Sequence, residues 1–254
     1  MRRKPTGAYR DALAHADQLH TVSPFWYEAT AADRVTAHPG AGDRAVIDGL
    51  HRAGIKVVPT VTASLDAAAT ARLLDDPKTR ATHVDTLVRL ATAHPYDGLD
   101  LDYERMNEPA AAPALLERVR TGFNTLITEL CDRLHALRKE CVAAVFPRSA
   151  TRDDGPVHDY AHLGRTLDRL RIMGYNLHNA LDPVSRTPHF TYTEDGRQRE
   201  VWYQDAGGIA AHLPVLARYG VTGTALWALD FEEPGLWPVL AAAPTRGAGN
   251  MSSR

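Results

Sequence analysis

The stretch YDGLDLDYE, Tyr96 to Glu104, places four carboxylates in nine positions with only Gly, Leu and Tyr between them. On a β-strand the side chains alternate, so Asp100, Asp102 and Glu104 share one face while Leu99, Leu101 and Tyr103 share the other. Neighbours on the acidic face then stand roughly 6.6 Å apart, at about 3.3 Å of rise per residue. Three ionised groups at that spacing in a dry interior repel one another, so the set shares protons and titrates as a cluster. A solvated strand edge is argued against by the Leu at the intervening positions. Ligation of Mg2+ or Ca2+ through oxygen is a second reading. The third is proton transfer, with Glu104 as the acid at the tip and a supporting acid two residues behind; it is preferred because Glu104 falls at the C-terminal end of the strand, where barrel enzymes place their chemistry. Asp97 is out of phase with the trio and is expected to support the turn into the strand.

An acidic strand of this kind needs helices against its apolar face, and the surrounding pattern provides them. Apolar, β-branched runs at Leu19 to Tyr27, Ile55 to Thr62, Gly98 to Tyr103, Cys141 to Phe146, Leu170 to Asn176 and Thr222 to Leu229 alternate with helical patterns. One helix starts at the Asp43 cap and stops at Gly54, a second starts at Asp76-Pro77 and ends before Pro95, and the longest spans about Pro113 to Lys139. Residues 207 to 220 are helical in pattern, with Pro214 expected to bend the helix and Gly220 to close it. Phe190 to Tyr203 read as a β-hairpin turning near Asp195-Gly196. This alternation fits an α/β chain of the (β/α)8 barrel type, with a doubly wound sheet as the runner-up; no Gly-rich phosphate loop follows any strand. The expected organisation is a single domain over residues 1–240 and a disordered tail over 241–254.

Composition narrows the function. The 254 residues carry a formal charge of -2, with 44% hydrophobic and 24% charged residues, the profile of a water-soluble globular protein. Lys and Arg are interleaved with Asp and Glu, which leaves no basic stripe for a nucleic acid. No apolar run suited to a membrane span or leader precedes Leu19. The two cysteines, Cys131 and Cys141, give neither a disulfide framework nor a metal motif and are expected to be small buried hydrophobes. His158 and His162 have i, i+4 spacing but no adjacent Glu, and are read as surface histidines.

The stretch DGLDLDYE resembles the D-x-x-D-x-D-x-E signature of glycoside hydrolase family 18, the chitinases and related N-acetylglucosaminidases, at Asp97, Asp100, Asp102 and Glu104. IMGYN (172–176) resembles the family's M-x-Y-[DN] strand and GTALWALD (223–230) its last barrel strand, while SPFWYEAT and HFTYTEDGRQREVWYQDAGGI resemble the branch of spore-germination and cortex-lytic hydrolases. The resemblance implies a barrel enzyme that hydrolyses β-1,4-linked N-acetylglucosamine polymers, chitin or peptidoglycan, by substrate assistance and without a cofactor or metal. By it, Glu104, Asp102, Asp100 and Tyr175 are catalytic, and Trp227, Asn176, Met173, Phe25 and Tyr27 contact the sugar. It also implies an extracellular or cell-wall location.

Two departures from the family pattern set further expectations. No strand is visible before GAYRDALAHADQLHTV, and about 13 residues, LHNALDPVSRTPH, stand where a late βα unit is expected. The barrel is therefore expected to be incomplete, lacking its first strand and one late unit, with a hairpin excursion near 190–204. Glycan binding without turnover is the alternative function.

Overall fold

The computed structural model describes residues 7–147, 156–174, 189–194, 196–202, 205–221 and 223–242. The chain forms two compact units, residues 19–176 and residues 1–18 with 177–254. Helix α1 (Gly7–Ala14) belongs to the second of these.

Prolines decide where the first strands of the 19–176 unit break. The run at Leu19 to Tyr27 divides at Pro24 into β1 (Thr21–Val22) and β2 (Phe25–Ala31), which turns back into β3 (Arg34–Ala37). After α2 (Arg44–Arg52), the run at Ile55 to Thr62 divides at Pro59 into β4 (Lys56–Val57) and β5 (Thr60–Ala63). A proline has no N–H for the ladder, so each run is interrupted there, but the two runs stay side by side: β1 pairs with β4, and β2 pairs with β5, both in parallel. Then follow α3 (Ala67–Asp75), α4 (Pro77–Ala93), β6 (Gly98–Asp102), α5 (Pro113–Ala136), β7 (Glu140–Val145), α6 (Tyr160–Thr166) and β8 (Arg169–Ile172). Asp43, Asp66, Asp76 and Asp159 cap α2, α3, α4 and α6, each accepting a first-turn amide through its side chain.

The six-stranded sheet has the order β3-β2-β5-β6-β7-β8, parallel except for β3. Its register aligns Phe25, Thr60, Asp100, Val142 and Arg169 in one row. Glu28, Thr62 and Asp102 align in the next row along. Residues of one row in a parallel sheet point to one face, so the acids share their side with Thr60, Val142 and Arg169.

The opposite face is apolar and covered by helices. Leu99, Leu101, Val61, Ala143 and Val145 are fully buried there, as are Leu126, Ile127, Leu130 and Leu134 of α5. Each such leucine contributes about 1.5–3 kcal/mol of burial. Tyr103 continues this face: its ring packs 6.2 Å from Phe123 of α5, and its hydroxyl lies 2.8 Å from Nε2 of His83 on α4. Nδ1 of His83 meets the Ala32 carbonyl at 3.1 Å, and burial pushes the imidazole pKa down.

Cys131 of α5 and Cys141 of β7 form a disulfide with Cα atoms 5.3 Å apart, which corrects the expectation of two free thiols. The helix end, the tight turn at Arg138 (φ 56°) and the strand start return the chain onto itself within ten residues. That closeness follows from the turn and is invisible to a count of two cysteines.

In the second unit, β9 (His189–Glu194) and β10 (Arg197–Trp202) form the expected hairpin, with Glu194 opposite Arg197 and Gly196 at φ 72°. Helix α7 (Ala206–Arg218) runs through Pro214. The residues before α8 (Leu236–Ala241) correct another expectation, because residues 223–229 form no strand. An apolar run is a strand only with a partner for its N–H and C=O groups, and among the described residues no ladder takes this one. Trp237 of α8 stacks on His15 at 3.8 Å. The tail from residue 243 lies outside the described residues. No helix among the described residues is long and apolar enough to cross a membrane.

The Cys131–Cys141 bond closes a short loop, so replacing both residues by Ala is expected to lower the unfolding free energy by ~2–3 kcal/mol. Urea titration of the wild type and the double variant checks this.

Candidate active site

Asp97 sets the entry of the acidic strand, as its phase predicts. Its Oδ2 accepts the Val57 N–H at 2.7 Å and lies 2.8 Å from His51 Nε2. Its own N–H donates to the Val57 carbonyl and its carbonyl accepts the Glu140 N–H. One side chain and one peptide unit thus tie β4, β6 and β7 together where β6 begins, and Asp97 is structural.

Two residues on, Asp100 is 0% exposed. Its Oδ2 accepts the Thr60 hydroxyl at 2.8 Å and forms an ion pair with Nη2 of Arg171 on β8. Arg171 stands opposite Ala144, whose methyl group leaves room for the guanidinium to cross β7. Asp102 is 8% exposed, and among the described residues nothing donates to its buried Oδ1. Burial, and then the charge of Glu104, push its pKa up to about 6. Glu104 lies just past the end of β6, where its carbonyl accepts the Asn107 N–H at 2.9 Å and the buried Met106 anchors the turn. Burial also raises the Glu104 pKa. The strand therefore presents three acids of different kinds: a paired carboxylate, a buried acid that holds its proton to near-neutral pH, and a half-buried acid at the tip.

Such a tip acid, backed by a second proton-holding acid, can protonate a leaving group and later accept a proton from water. A divalent cation has a competitor at Asp100, since Thr60 and Arg171 already occupy Oδ2. Among the described residues no three His, Cys, Asp or Glu side chains converge as a metal site.

The remaining sequence candidates fall in different places. Met173 is buried at the end of β8, its N–H bonded to the Val145 carbonyl at 3.0 Å. Phe25, 42% exposed, lies in the Asp100 row. Tyr27 is corrected: it is buried, and its hydroxyl lies 2.7 Å from that of Tyr96, so its ring is committed to packing away from the acidic face. Tyr175 and Asn176 lie outside the described residues. Trp227 belongs to the second unit, is 63% exposed and lines a cavity of about 110 Å³ with Ile209, Leu226, Phe231 and Leu236. The surface assignment of His158 is also corrected, while His162 is part-exposed. His158 is buried between Phe123 and Phe146, and His162 Nε2 lies 3.0 Å from the Thr128 hydroxyl.

Arg171, Thr60 and Glu28 join the acidic face without having been singled out from the sequence. The signal for Arg171 was present in RLRIM (169–173), where arginine alternates with Leu and Ile as aspartate does in LDLD. Arg169 points the same way, and its guanidinium donates to Thr21 Oγ1 at 2.7 Å and to Glu140.

A parallel sheet with catalytic-type acids at the C-terminal end of one strand defines the class as an α/β hydrolytic fold. The model for glycosyl hydrolases family 18 matches residues 50–191, more than half of the chain, and the chain belongs to that family. Over 93% of its length it superposes on 95% of a chitinase from Chromobacterium violaceum ATCC 12472, with a TM-score of 0.76 and 19% identity. It also superposes over 96% of its length on 72% of the spore cortex-lytic enzyme SleL of Bacillus cereus, with a TM-score of 0.74 and 15% identity. The cortical fragment-lytic enzyme of Bacillus anthracis is 30% identical over 67 residues, which are 26% of this chain and 16% of that enzyme.

An acid whose folded pKa lies above its unfolded value of about 3.9 binds its proton more tightly in the folded chain. The stability gained from Asp102 is thus complete below pH ~3.9 and is lost as the pH rises through about 6. Asp102→Asn removes this dependence. Urea unfolding at about pH 4 and about pH 8 is expected to show the variant gaining on the order of 2–3 kcal/mol relative to wild type between the two.

Proposed function

We propose that this chain is a retaining glycosidase of β-1,4-linked N-acetylglucosamine polymers, chitin or peptidoglycan, built on a reduced (β/α)8 barrel. The observation that carries the reading is the inward row Asp100, Asp102 and Glu104, in which burial raises the pKa of the last two.

The sugar's own acetamide oxygen attacks the anomeric carbon as Glu104 gives its proton to the leaving glycosidic oxygen. An internal nucleophile of this kind has the advantage of pre-orientation, provided that the acetamide is held still. Asp102 holds it by accepting the acetamide N–H and by facing the positive charge of the oxazolinium ion. By the family resemblance, Tyr175 donates its hydroxyl to the acetamide carbonyl and Asn176 meets sugar hydroxyls. Met173 and Phe25 complete the sugar contacts, while the burial of Tyr27 removes it from the set. Water then attacks from the face left by the first sugar, Glu104 takes its proton, and the configuration is retained. The nucleophile comes from the substrate, so no cofactor takes part.

The disulfide supports an oxidising, extracellular or cell-wall location. Glycan binding without turnover is a second reading, favoured by the link of about 13 residues between Asn176 and the hairpin, too short for a βα unit. Glu104 favours the enzyme, because a binding module has no use for a proton donor at the strand tip.

Glu104→Gln is expected to lower release of a chromophore from an N-acetylchitobiose glycoside at least ~100-fold while oligosaccharide affinity stays within about twofold. De-N-acetylated glycosides are expected to remain uncleaved. Turnover that persists in the variant, or equal rates on both substrates, removes the assigned roles.

A further inference from the structure

We infer that Arg171 is a positioning residue that fixes Asp100 as a carboxylate and thereby confines the exchangeable proton of the acidic strand to Asp102 and Glu104. Its kinetic consequence rests on the hydrolase reading above; its electrostatic consequence does not.

Geometry carries the inference. Asp100 is 0% exposed, so water does not solvate its charge, and Oδ2 is met from two sides by the Thr60 hydroxyl at 2.8 Å and the Arg171 guanidinium. Oδ1 is buried and meets no donor among the described residues, so the guanidinium charge beside Oδ2 is what favours the ionised form of the carboxyl. An acid relay along the strand needs the rear carboxyl to hand a proton forward, and a carboxylate pinned by a guanidinium has none to give. Among the described residues no cation pairs with Asp102, and the charge that acts on it is that of Glu104. The strand is divided accordingly: Asp100 with Arg171 forms a neutral unit, and Asp102 with Glu104 forms the titrating one.

The other groups on this side do not replace Arg171. On β5 the facing residues are Thr60 and Thr62, and on β7 they are Val142 and Ala144, none of them charged. Glu28 of β2 adds an acid opposite Thr62. Arg169, the other cation of β8, is spent on Thr21 and Glu140, and Lys56 is bonded to Glu140 Oε1 at 2.5 Å. Among the described residues Arg171 is therefore the cation that offsets the buried acids. Guanidinium suits the task, because burial lowers its pKa only to about 10 and it stays charged through the working range.

Removing a cation raises the pKa of every acid near it, and removing an anion lowers them. Arg171→Met is expected to move both limbs of the kcat/KM pH profile upward by about one pH unit. Asp100→Asn, which leaves the guanidinium unpaired, is expected to move them downward by a similar amount. The double variant Asp100→Asn/Arg171→Met cancels the two charges and is expected to bring the limbs back near the wild-type positions. Arg171→Lys keeps the charge and is expected to keep the limbs while lowering the rate. A rate loss with limbs unmoved in the single variants makes Arg171 a packing residue and overturns the inference. If Arg171→Met does not fold, Asp100→Asn against the double variant decides the same point. Carboxyl 13C NMR titration of Asp102 and Glu104 in the same proteins needs no turnover. Shifted resonances in an inactive protein remove the hydrolase reading and keep the inference, whereas unshifted resonances overturn the inference whatever the activity.

Discussion

A carboxylate out of reach of water has to be met by donors, and in this chain Asp100 is met by Thr60 from one side of its strand and Arg171 from two strands away on the other. Breaking such a pair by removing one partner costs ~3–5 kcal/mol, because it leaves an uncompensated buried charge. The pair therefore specifies register. Thr60 faces Asp100 directly, and Arg171 reaches it only because Ala144 lies opposite on the strand between them. A slip of one residue in β5 or β8 turns its donor outward among the helices, and a slip in β6 puts Leu99 or Leu101 where the acids stand. Electrostatics and the apolar pattern thus select the same alignment.

The polar groups at the other ends of these strands work to the same purpose. Asp97 ties β4, β6 and β7 at their starts through its side chain and peptide unit. Glu140 takes Lys56 and Arg169, and Arg169 in turn reaches Thr21 on β1. These contacts join residues far apart in sequence, and each uses a group whose charge the fold must satisfy in any case. Rigidity at the strand starts leaves the strand ends, where Asp102 and Glu104 lie, to be shaped by turns such as Glu104 to Asn107.

Much of this was readable in the sequence wherever a local rule and the tertiary demand agree. The alternation in LDLD identified the acidic face, the aspartate caps placed α2 and α4, and Gly196 marked the hairpin turn. Where a proline falls inside a run, the local rule overreaches: Pro24 and Pro59 split single apolar runs into strand pairs. Thr222 to Leu229 has the composition of a strand, but composition supplies no neighbour to pair with. Tyr27 and His158 were misplaced for a related reason, since whether an amphipathic ring lies inside or outside depends on what packs over it, here Tyr96 and Phe123. The disulfide was missed because two cysteines form no pattern until the α5–β7 turn brings them together.

Asp100 and Asp102 differ by one step along the same face of the same strand, with the same chemistry and nearly the same burial. Their fates differ because a parallel sheet sets each row against different neighbours. Asp100 lies where a threonine and an arginine converge, and it becomes a fixed charge. In the next row Asp102 lies opposite Thr62, with Glu28 one strand further on and no cation among the described residues, and it holds its proton to about pH 6. A proton-transfer site needs one group that stays put and one that changes state. Here a repeat of Asp every second residue yields both, and the difference between them is written in β5 and β8, not in the acidic strand.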